Sequence, residues 1–165
     1  MNTEDRQEIL DLISGYAYSY DGNDMDALIA LFDDDAVTNI FVPSQDLPFH
    51  TTTTRSQLRE EIGERRASLA KQGIQPRHSL ANTILTEVSE GRVLGRTVLL
   101  VAWQRTGNLM SKVMHSGIYE DEFRRTPHGW KFVRRDLRLD HELPAHPVIA
   151  YLMSWFTRPK SSRRS

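Results

Sequence analysis

The first third of the chain places its hydrophobic residues with the period of an α-helix. The apolar and aromatic residues that recur at steps of three or four are Ile9, Ile13, Tyr16 and Tyr20. This spacing predicts an opening helix with one apolar face. Thr3 is expected to cap its N-terminus, with Glu4 and Asp5 in the first turn, and Gly22 is expected to end it.

A second, shorter helix is predicted directly afterwards, with Asn23 as its cap. Its buried stripe consists of Ala27, Leu28, Leu31 and Phe32. Three aspartates at 33–35 then predict a solvated turn, and residues 36–42 (AVTNIFV) predict a first strand that ends before Pro43. Residues 44–53 show no periodicity and are interpreted as a loop over one edge of the domain.

A third helix is predicted from a capping box made by Thr54 and Gln57. The residues that continue at helical spacing are Leu58, Ile62, Arg65 and Leu69. Gly73 supplies the stop signal. The N-terminal half of the domain is therefore expected to contain three helices and one strand.

From Arg77 onward the pattern changes to long β-rich runs separated by short turn signals around Gly91, Gly107 and Gly129. Such runs predict four strands in an antiparallel meander. Parallel strands would require crossover helices, which this half of the chain lacks. Helices first and hairpin-linked strands afterwards indicate an α+β domain.

The domain is predicted to span residues 1–142 without an internal repeat or linker. Residues 143–157 are apolar, and we expect them to pack on the domain or on a second subunit, whereas the basic residues 158–165 are expected to be disordered. A homodimer is predicted, because the outer face of an open sheet needs cover. The apolar residues offered for that contact are Ile149, Leu152, Trp155 and Phe156.

Composition excludes several classes of partner and chemistry. Lysine plus arginine number 21 against 22 aspartate plus glutamate, so the net charge of −1 offers no field to attract nucleic acid or anionic membranes. The chain contains no cysteine, which excludes disulfides and thiolate chemistry and favours a reducing cytoplasm. Its acidic N-terminus is unlike a secretory signal, and no apolar run reaches membrane-spanning length.

Three stretches of the sequence carry a resemblance to a known family. They are YAYSYDGNDMDALIALFDDDAV at 16–37, RHSLAN at 77–82 and HSGIYEDEFRRTPHGWKFVRR at 115–135. Together they resemble the SnoaL-like family of the nuclear-transport-factor-two-like superfamily, over residues 5–138. The resemblance implies a cone-shaped, strongly curved antiparallel sheet capped by about three N-terminal helices, which is the cystatin-like fold.

The same resemblance implies a choice of functions. Relatives include scytalone dehydratase, bile-acid dehydratases, polyketide cyclases and ketosteroid isomerases, so the leading hypothesis is a cofactor-independent lyase, isomerase or cyclase. The substrate would be a hydrophobic polyketide-, steroid- or terpenoid-like molecule. The alternatives are a noncatalytic β-type subunit of a ring-hydroxylating dioxygenase and a small-molecule-binding protein without turnover. Fold alone does not choose among them.

The family pattern places a tyrosine and an aspartate near the end of the first helix opposite a histidine on a strand. Tyr16, Asp21 and His78 match these places, and Tyr20 beside Asp21 resembles the Tyr-Asp pair of scytalone dehydratase. An aspartate beside a histidine can orient the ring for proton transfer, and a tyrosine can polarise a substrate oxygen. The structural alternatives are that Asp21 closes the helix, His78 begins a strand and Tyr16 packs in the core.

Further candidates follow from strand alternation. Asn82 shares parity with His78, and His115 shares parity with Tyr119 and Asp121, so each set is expected on one side of the sheet. His115 is a candidate second proton-transfer group, with a packed or surface histidine as the simpler alternative. Tyr20, Asn82, Trp103 and Tyr119 are candidate substrate contacts. Core packing is the favoured interpretation of Trp103, and the alternative for Asn82 is that it satisfies neighbouring backbone groups. The second histidine of scytalone dehydratase is missing near Trp103, and no spacing resembles a metal site.

Overall fold

The computed structural model of the protein describes residues 1–143, which form three helices and six strands. In chain order these are α1 (Thr3–Gly22), α2 (Met25–Ala30), β1 (Phe32–Phe41), β2 (His50–Thr52), α3 (Arg55–Lys71), β3 (Ile74–Ser89), β4 (Arg92–Arg105), β5 (Lys112–Thr126) and β6 (Gly129–Leu139). The predictions for residues 144–157, including the four apolar residues offered for dimer contact, and for 158–165 lie outside the described residues.

The six strands form one curved sheet in the order β2-β1-β6-β5-β4-β3. Strands β3 to β6 pair as an antiparallel meander, and β2 pairs antiparallel with β1, whereas β1 and β6 run parallel. Gly91, Gly107 and Gly129 all have positive φ, so the three turns lie where the glycines predicted them. The α+β class and the curved, mainly antiparallel sheet are confirmed.

The helix boundaries differ from the prediction by one residue at two caps. Asn2, and not Thr3, caps α1, because its side-chain oxygen accepts a hydrogen bond from the Asp5 amide at 2.8 Å. Asn23 adopts the left-handed conformation that ends α1, with φ of 60°. It therefore cannot begin the next helix, and Asp24 caps α2 by accepting from the Ala27 amide. In each case the neighbouring side chain reaches an unpaired amide of the first helical turn.

The acidic stretch at 33–35 is part of β1 and is not a turn, which corrects the prediction. Asp33 and Asp35 both accept hydrogen bonds from Arg124 on β5, at 2.6 and 2.9 Å, and Asp34 pairs with Arg55. These arginines compensate three adjacent carboxylates within an extended strand. Only the tertiary structure supplies them, so residue preferences along the sequence pointed to a turn.

The predicted loop at 44–53 contains a short edge strand, β2, which pairs with Thr38, Asn39 and Ile40 of β1. Its three residues are too few for any periodicity to show. The third helix follows as predicted, with Thr54 accepting from the Gln57 amide at 3.2 Å. Strand β2 matters for the site because it brings His50 up to the concave side of the sheet.

The core lies between the concave face of the sheet and helices α1 and α3. Phe32, Phe123 and Phe132 are almost fully buried at its centre, and ring centroids of neighbouring pairs are 5.0–5.1 Å apart. Burying each ring contributes about 2–3 kcal/mol relative to leaving it in water. Across residues 1–143, none of the helices has the length and apolar character needed to cross a bilayer.

Candidate active site

A cavity of about 520 Å³ opens between the helices and the concave face of the sheet. Its wall is mostly apolar, and the side chains that give it this character are Phe32, Leu58, Ile62, Leu99, Val101 and Leu139. Six of the eight predicted site residues also line it, the exceptions being Asp21 and Asn82. A concave, mainly apolar pocket with a few polar groups is the usual form of a small-molecule site.

His78 lines this cavity, and Asp21, which is not part of the lining, forms a buried pair with it. Oδ1 of Asp21 lies 2.7 Å from Nδ1 of His78, and Oδ2 accepts a hydrogen bond from the His78 backbone amide at 2.9 Å. The side chains are only 8% and 7% exposed. One carboxylate thus holds both the backbone and the ring of His78, and an ionised carboxylate requires a proton on Nδ1. Nε2 is left for a ligand, because no hydrogen bond from residues 1–143 engages it.

The end of helix α1 is held in place by two further side chains. Gln75 donates to the Asp21 carbonyl at 2.8 Å, and the buried Arg66 donates to the same oxygen at 3.3 Å. Carbonyl groups in the last turn of a helix have no partner inside the helix, so these donors satisfy one of them. The position of the Asp21 carboxylate is therefore determined by packing and hydrogen bonding, not by the helix alone.

Two tyrosines lie beside the histidine, and a third packs against one of them. The ring of Tyr20 lies 4.6 Å from the His78 ring, and the ring of Tyr16 lies 6.2 Å from it. Tyr119 packs edge-on against Tyr16 at 5.9 Å. Burial raises the pKa of Tyr20 and raises that of Tyr119 well above its usual value. Both phenols are therefore protonated at neutral pH and act as neutral groups in the cavity wall.

A buried ion pair between Arg135 and Asp121 closes the inner end of this aromatic wall. Nε and Nη2 of Arg135 donate to the two Asp121 oxygens at 2.8 and 2.9 Å. The guanidinium lies over the Tyr16 and Tyr119 rings, 4.1 and 4.0 Å from their centroids. Its Nη1 is buried and has no hydrogen-bond partner within residues 1–143. A cation held here favours negative charge that develops on a nearby ligand oxygen.

Arg135 is not among the site residues predicted from the sequence. Alternation from the buried Phe132 would place Arg134 inward, but the pairing of β5 with β6 shifts by one residue between Phe123 and Glu122. That irregularity leaves Val133 unpaired and turns Arg135 to the cavity side. No local signal in the sequence marks it. Asp121, by contrast, does lie on the predicted inward parity of β5.

Asn82 does not face the cavity, which corrects the prediction. It is exposed and adopts a left-handed conformation with φ of 54°, at a shift in the β3–β4 register between Ala81 and Ile84. The shift reverses the alternation that begins at His78. Thr83 takes the inward place instead, and its hydroxyl lies 3.1 Å from that of the buried Thr97. Strict alternation fails wherever an extra residue enters a strand.

His115 lies in the cavity wall as predicted, beside Trp103, with 5.9 Å between their rings. It stacks on His141, and its Nδ1 lies 3.0 Å from Nε2 of that residue. Burial, together with the charges of His141, Arg65 and His78, lowers the pKa of His115 to about 4. The ring is therefore neutral near pH 7, which makes it a weak base and leaves it without a second proton to donate.

A second histidine–carboxylate pair was missed, because its histidine lies in the predicted loop. Nε2 of His50 on β2 lies 2.7 Å from Oε2 of Glu61 on α3, and both residues line the cavity. Residues 1–143 contain no group of three or more histidine, cysteine, aspartate or glutamate side chains placed to hold a metal ion.

Comparison with known proteins agrees with this architecture. The structure is similar to an NTF2-like protein with a cystatin-like fold from Novosphingobium aromaticivorans, with 27% identity, coverage of 91% of this chain and 89% of that one, and a TM-score of 0.69. It is also similar to a provisionally assigned scytalone dehydratase from the same organism, with 23% identity, coverage of 85% and 89%, and a TM-score of 0.67.

A third similar structure is the β subunit of a provisionally assigned aromatic-ring-hydroxylating dioxygenase from Novosphingobium aromaticivorans, with 19% identity, coverage of 84% and 91%, and a TM-score of 0.69. No match is found among curated proteins. A model of the SnoaL-like domain matches residues 1–136, which include Asp21, His78 and most of the cavity. The chain therefore belongs to the SnoaL-like domain family.

Proposed function

We propose that the protein is a cofactor-independent lyase, isomerase or cyclase that acts on a hydrophobic polyketide-, steroid- or terpenoid-like molecule. The observation that carries this proposal is the Asp21–His78 pair, which is held by two hydrogen bonds and whose histidine lines a mainly apolar cavity. The similarity to a provisionally assigned scytalone dehydratase agrees with it. An apolar wall selects an apolar substrate, and the few polar groups select where its oxygen atoms lie.

In this proposal His78 carries out the proton transfer through Nε2. Asp21 keeps the proton on Nδ1 and stabilises the imidazolium that forms when Nε2 accepts a proton from substrate carbon. The same nitrogen can then return the proton to a departing hydroxyl or to another carbon. The phenol of Tyr16 and the guanidinium of Arg135 stabilise negative charge on the substrate oxygen.

The test is a screen of hydroxylated and epoxidised polyketide-like aromatics and terpenoids, followed by variants of the pair. His78→Gln and Asp21→Asn should each lower turnover by roughly two to four powers of ten, while substrate binding survives. His128→Gln is the matched control, because His128 is exposed in the β5–β6 turn and should leave turnover unchanged. Full activity in a well-folded His78→Gln variant would rule out the mechanism.

A second candidate is a noncatalytic β-type subunit, and the similarity to a dioxygenase β subunit favours it. Such a subunit would co-purify with a large Rieske-type chain, whereas the proposed enzyme would turn over substrate alone. Binding across the screen without turnover, and without a copurifying chain, would indicate a small-molecule-binding protein. Affinity purification from the native host distinguishes these outcomes.

We also propose that the protein is a homodimer. Leu94 and Leu100 alternate with inward-facing residues of β4 and lie on the outer face of the sheet, each 44% exposed, and Ile84 on β3 is 66% exposed. These side chains support an apolar contact between two copies. Sedimentation should give a dimer at micromolar concentration, and Leu100→Lys should shift it towards monomer.

A further inference from the structure

The cavity contains a second histidine–carboxylate pair that the proposed mechanism does not use. His50 lies on edge strand β2 and Glu61 lies on helix α3, with 2.7 Å between Nε2 and Oε2. The same Glu61 oxygen accepts a hydrogen bond from the Thr52 hydroxyl at 3.0 Å. Oε1 of Glu61 accepts one from the side-chain amide of Gln57 at 3.1 Å. Three donors on one carboxylate indicate a built arrangement and not a chance surface contact.

The surroundings of Glu61 keep it ionised. Burial alone would raise the pKa of Glu61, but the hydrogen bonds from His50, Thr52 and Gln57 outweigh burial and lower the pKa overall. An ionised carboxylate accepts a hydrogen bond from Nε2 and so requires a proton there. Nδ1 of His50 is then the free nitrogen, since no hydrogen bond from the described part of the chain engages it.

The other histidine near the ligand space does not serve as a second proton-transfer group. Nδ1 of His115 already faces His141, and its ring is neutral near pH 7. His50 is more accessible: its side chain is 42% exposed, against 7% for His78. A group at the more open side of the cavity can exchange protons with solvent as well as with a ligand.

We infer that His50 is a second proton-transfer residue of this cavity, acting through Nδ1, and that Glu61 is the positioning residue that orients its ring. The inference rests on the proposed function and deepens it. In a dehydration, a C–H bond breaks and its proton moves to Nε2 of His78, while the electron pair forms a C=C bond. As that C=C bond forms, the C–O bond breaks with its electron pair, and a proton that Nδ1 of His50 has taken up from solvent joins the departing hydroxide to form water.

This division of roles defines the substrate class. The acidic C–H and the oxygen that receives the second proton lie at separate places on one apolar molecule, so that each can reach its own histidine. After each turnover the proton gained by His78 and the proton lost by His50 are exchanged with solvent. The protein therefore returns to its starting state without a cofactor.

The experiment uses 2-tetralone, an apolar ketone with acidic C–H bonds, as the probe. Wild-type protein in D₂O should accelerate deuterium uptake next to the carbonyl, followed by NMR, because enolisation needs a base at carbon and an acid at oxygen. His50→Gln should lower the protein-dependent rate roughly a hundredfold, within the range for one positioned acid or base. Glu61→Gln should have a smaller effect, and the exposed-site control His128→Gln none.

Chemical rescue separates a proton-transfer role from a structural one. Added imidazole should restore exchange in His50→Ala, and restoration supports the inference even where the variant is less stable. Absence of rescue overturns it. If His78→Gln abolishes exchange while His50→Gln retains the full rate, the inference on His50 is overturned and the proposed function stands. A wild-type rate equal to that of buffer would overturn both.

Discussion

The two histidine–carboxylate pairs of the cavity are built in different ways. Asp21 comes from the end of a long helix and His78 from near the start of β3, at the edge of the sheet opposite β2, and both side chains are more than nine-tenths buried. His50 and Glu61 come from a three-residue edge strand and the face of α3, with side chains 42% and 27% exposed. The same chemical pair thus occurs once in the core and once near solvent.

The two pairs also differ in the hydrogen bonds that each carboxylate accepts. The Asp21 carboxylate contacts both the ring and the backbone of His78, so moving either element breaks two hydrogen bonds. Glu61 instead gathers donors that belong to its own helix and to β2. Buried pairs lose much when one partner is removed, whereas exposed pairs contribute little. Stability measurements can therefore distinguish the two.

The largest effect is expected at the other buried pair, between Arg135 and Asp121. Arg135→Met should lower the free energy of unfolding by about 3–5 kcal/mol, because the Asp121 carboxylate would stay buried without its cation. Chemical denaturation measures this loss. Restoring stability with the double variant Arg135→Met and Asp121→Leu would show that the unpaired charge is the cause. An unchanged single variant would contradict the assignment.

Removing the carboxylate of each histidine pair tests the comparison directly. Asp21→Ala should lower the free energy of unfolding by about 1–3 kcal/mol, because it leaves a buried amide and a buried imidazole without an acceptor. Glu61→Ala should change it by less than about 1 kcal/mol. Thermal and denaturant unfolding of both variants gives the answer. Equal losses would mean that solvent exposure does not separate the pairs.

Lowering the pH should reduce the stability of the folded protein through His115. Its pKa is about 4 in the folded protein and about 6.5 in an unfolded chain. The unfolded state therefore binds more protons between these values, and the stability contributed by the neutral ring, complete above about pH 6.5, is lost as the pH falls towards 4. His115→Gln should flatten the pH dependence of unfolding in this window. An unchanged slope would show that His115 is not the responsible group.

A small effect is also expected on the strand that carries His78. Asn82→Ala should destabilise the protein by about 1 kcal/mol, because alanine is strained at φ of 54°, whereas Asn82→Gly should be close to neutral. Neither change should alter ligand binding, since Asn82 points away from the cavity. Reduced ligand affinity in Asn82→Gly would instead restore the predicted substrate contact.

Local patterns were sufficient for most of the fold. The apolar face of α1, the cap at Thr54 and the glycine turns of the meander depend on residues within a few positions of one another. The prediction that Asp21 and His78 lie together came from the family resemblance, and the geometry agrees with it. Neither periodicity nor spacing would join two residues 57 positions apart.

The sequence by itself determined the α+β class, the order of the main elements and the inward parity of His115, Tyr119 and Asp121, because these follow from short-range preferences. Only the tertiary structure decided that the aspartates at 33–35 extend into a strand, that Asn82 turns outward and that Arg135 turns inward. It alone brought His50 to Glu61. Strand register, bulges and charge compensation depend on partners distant in the chain, and no local pattern records them.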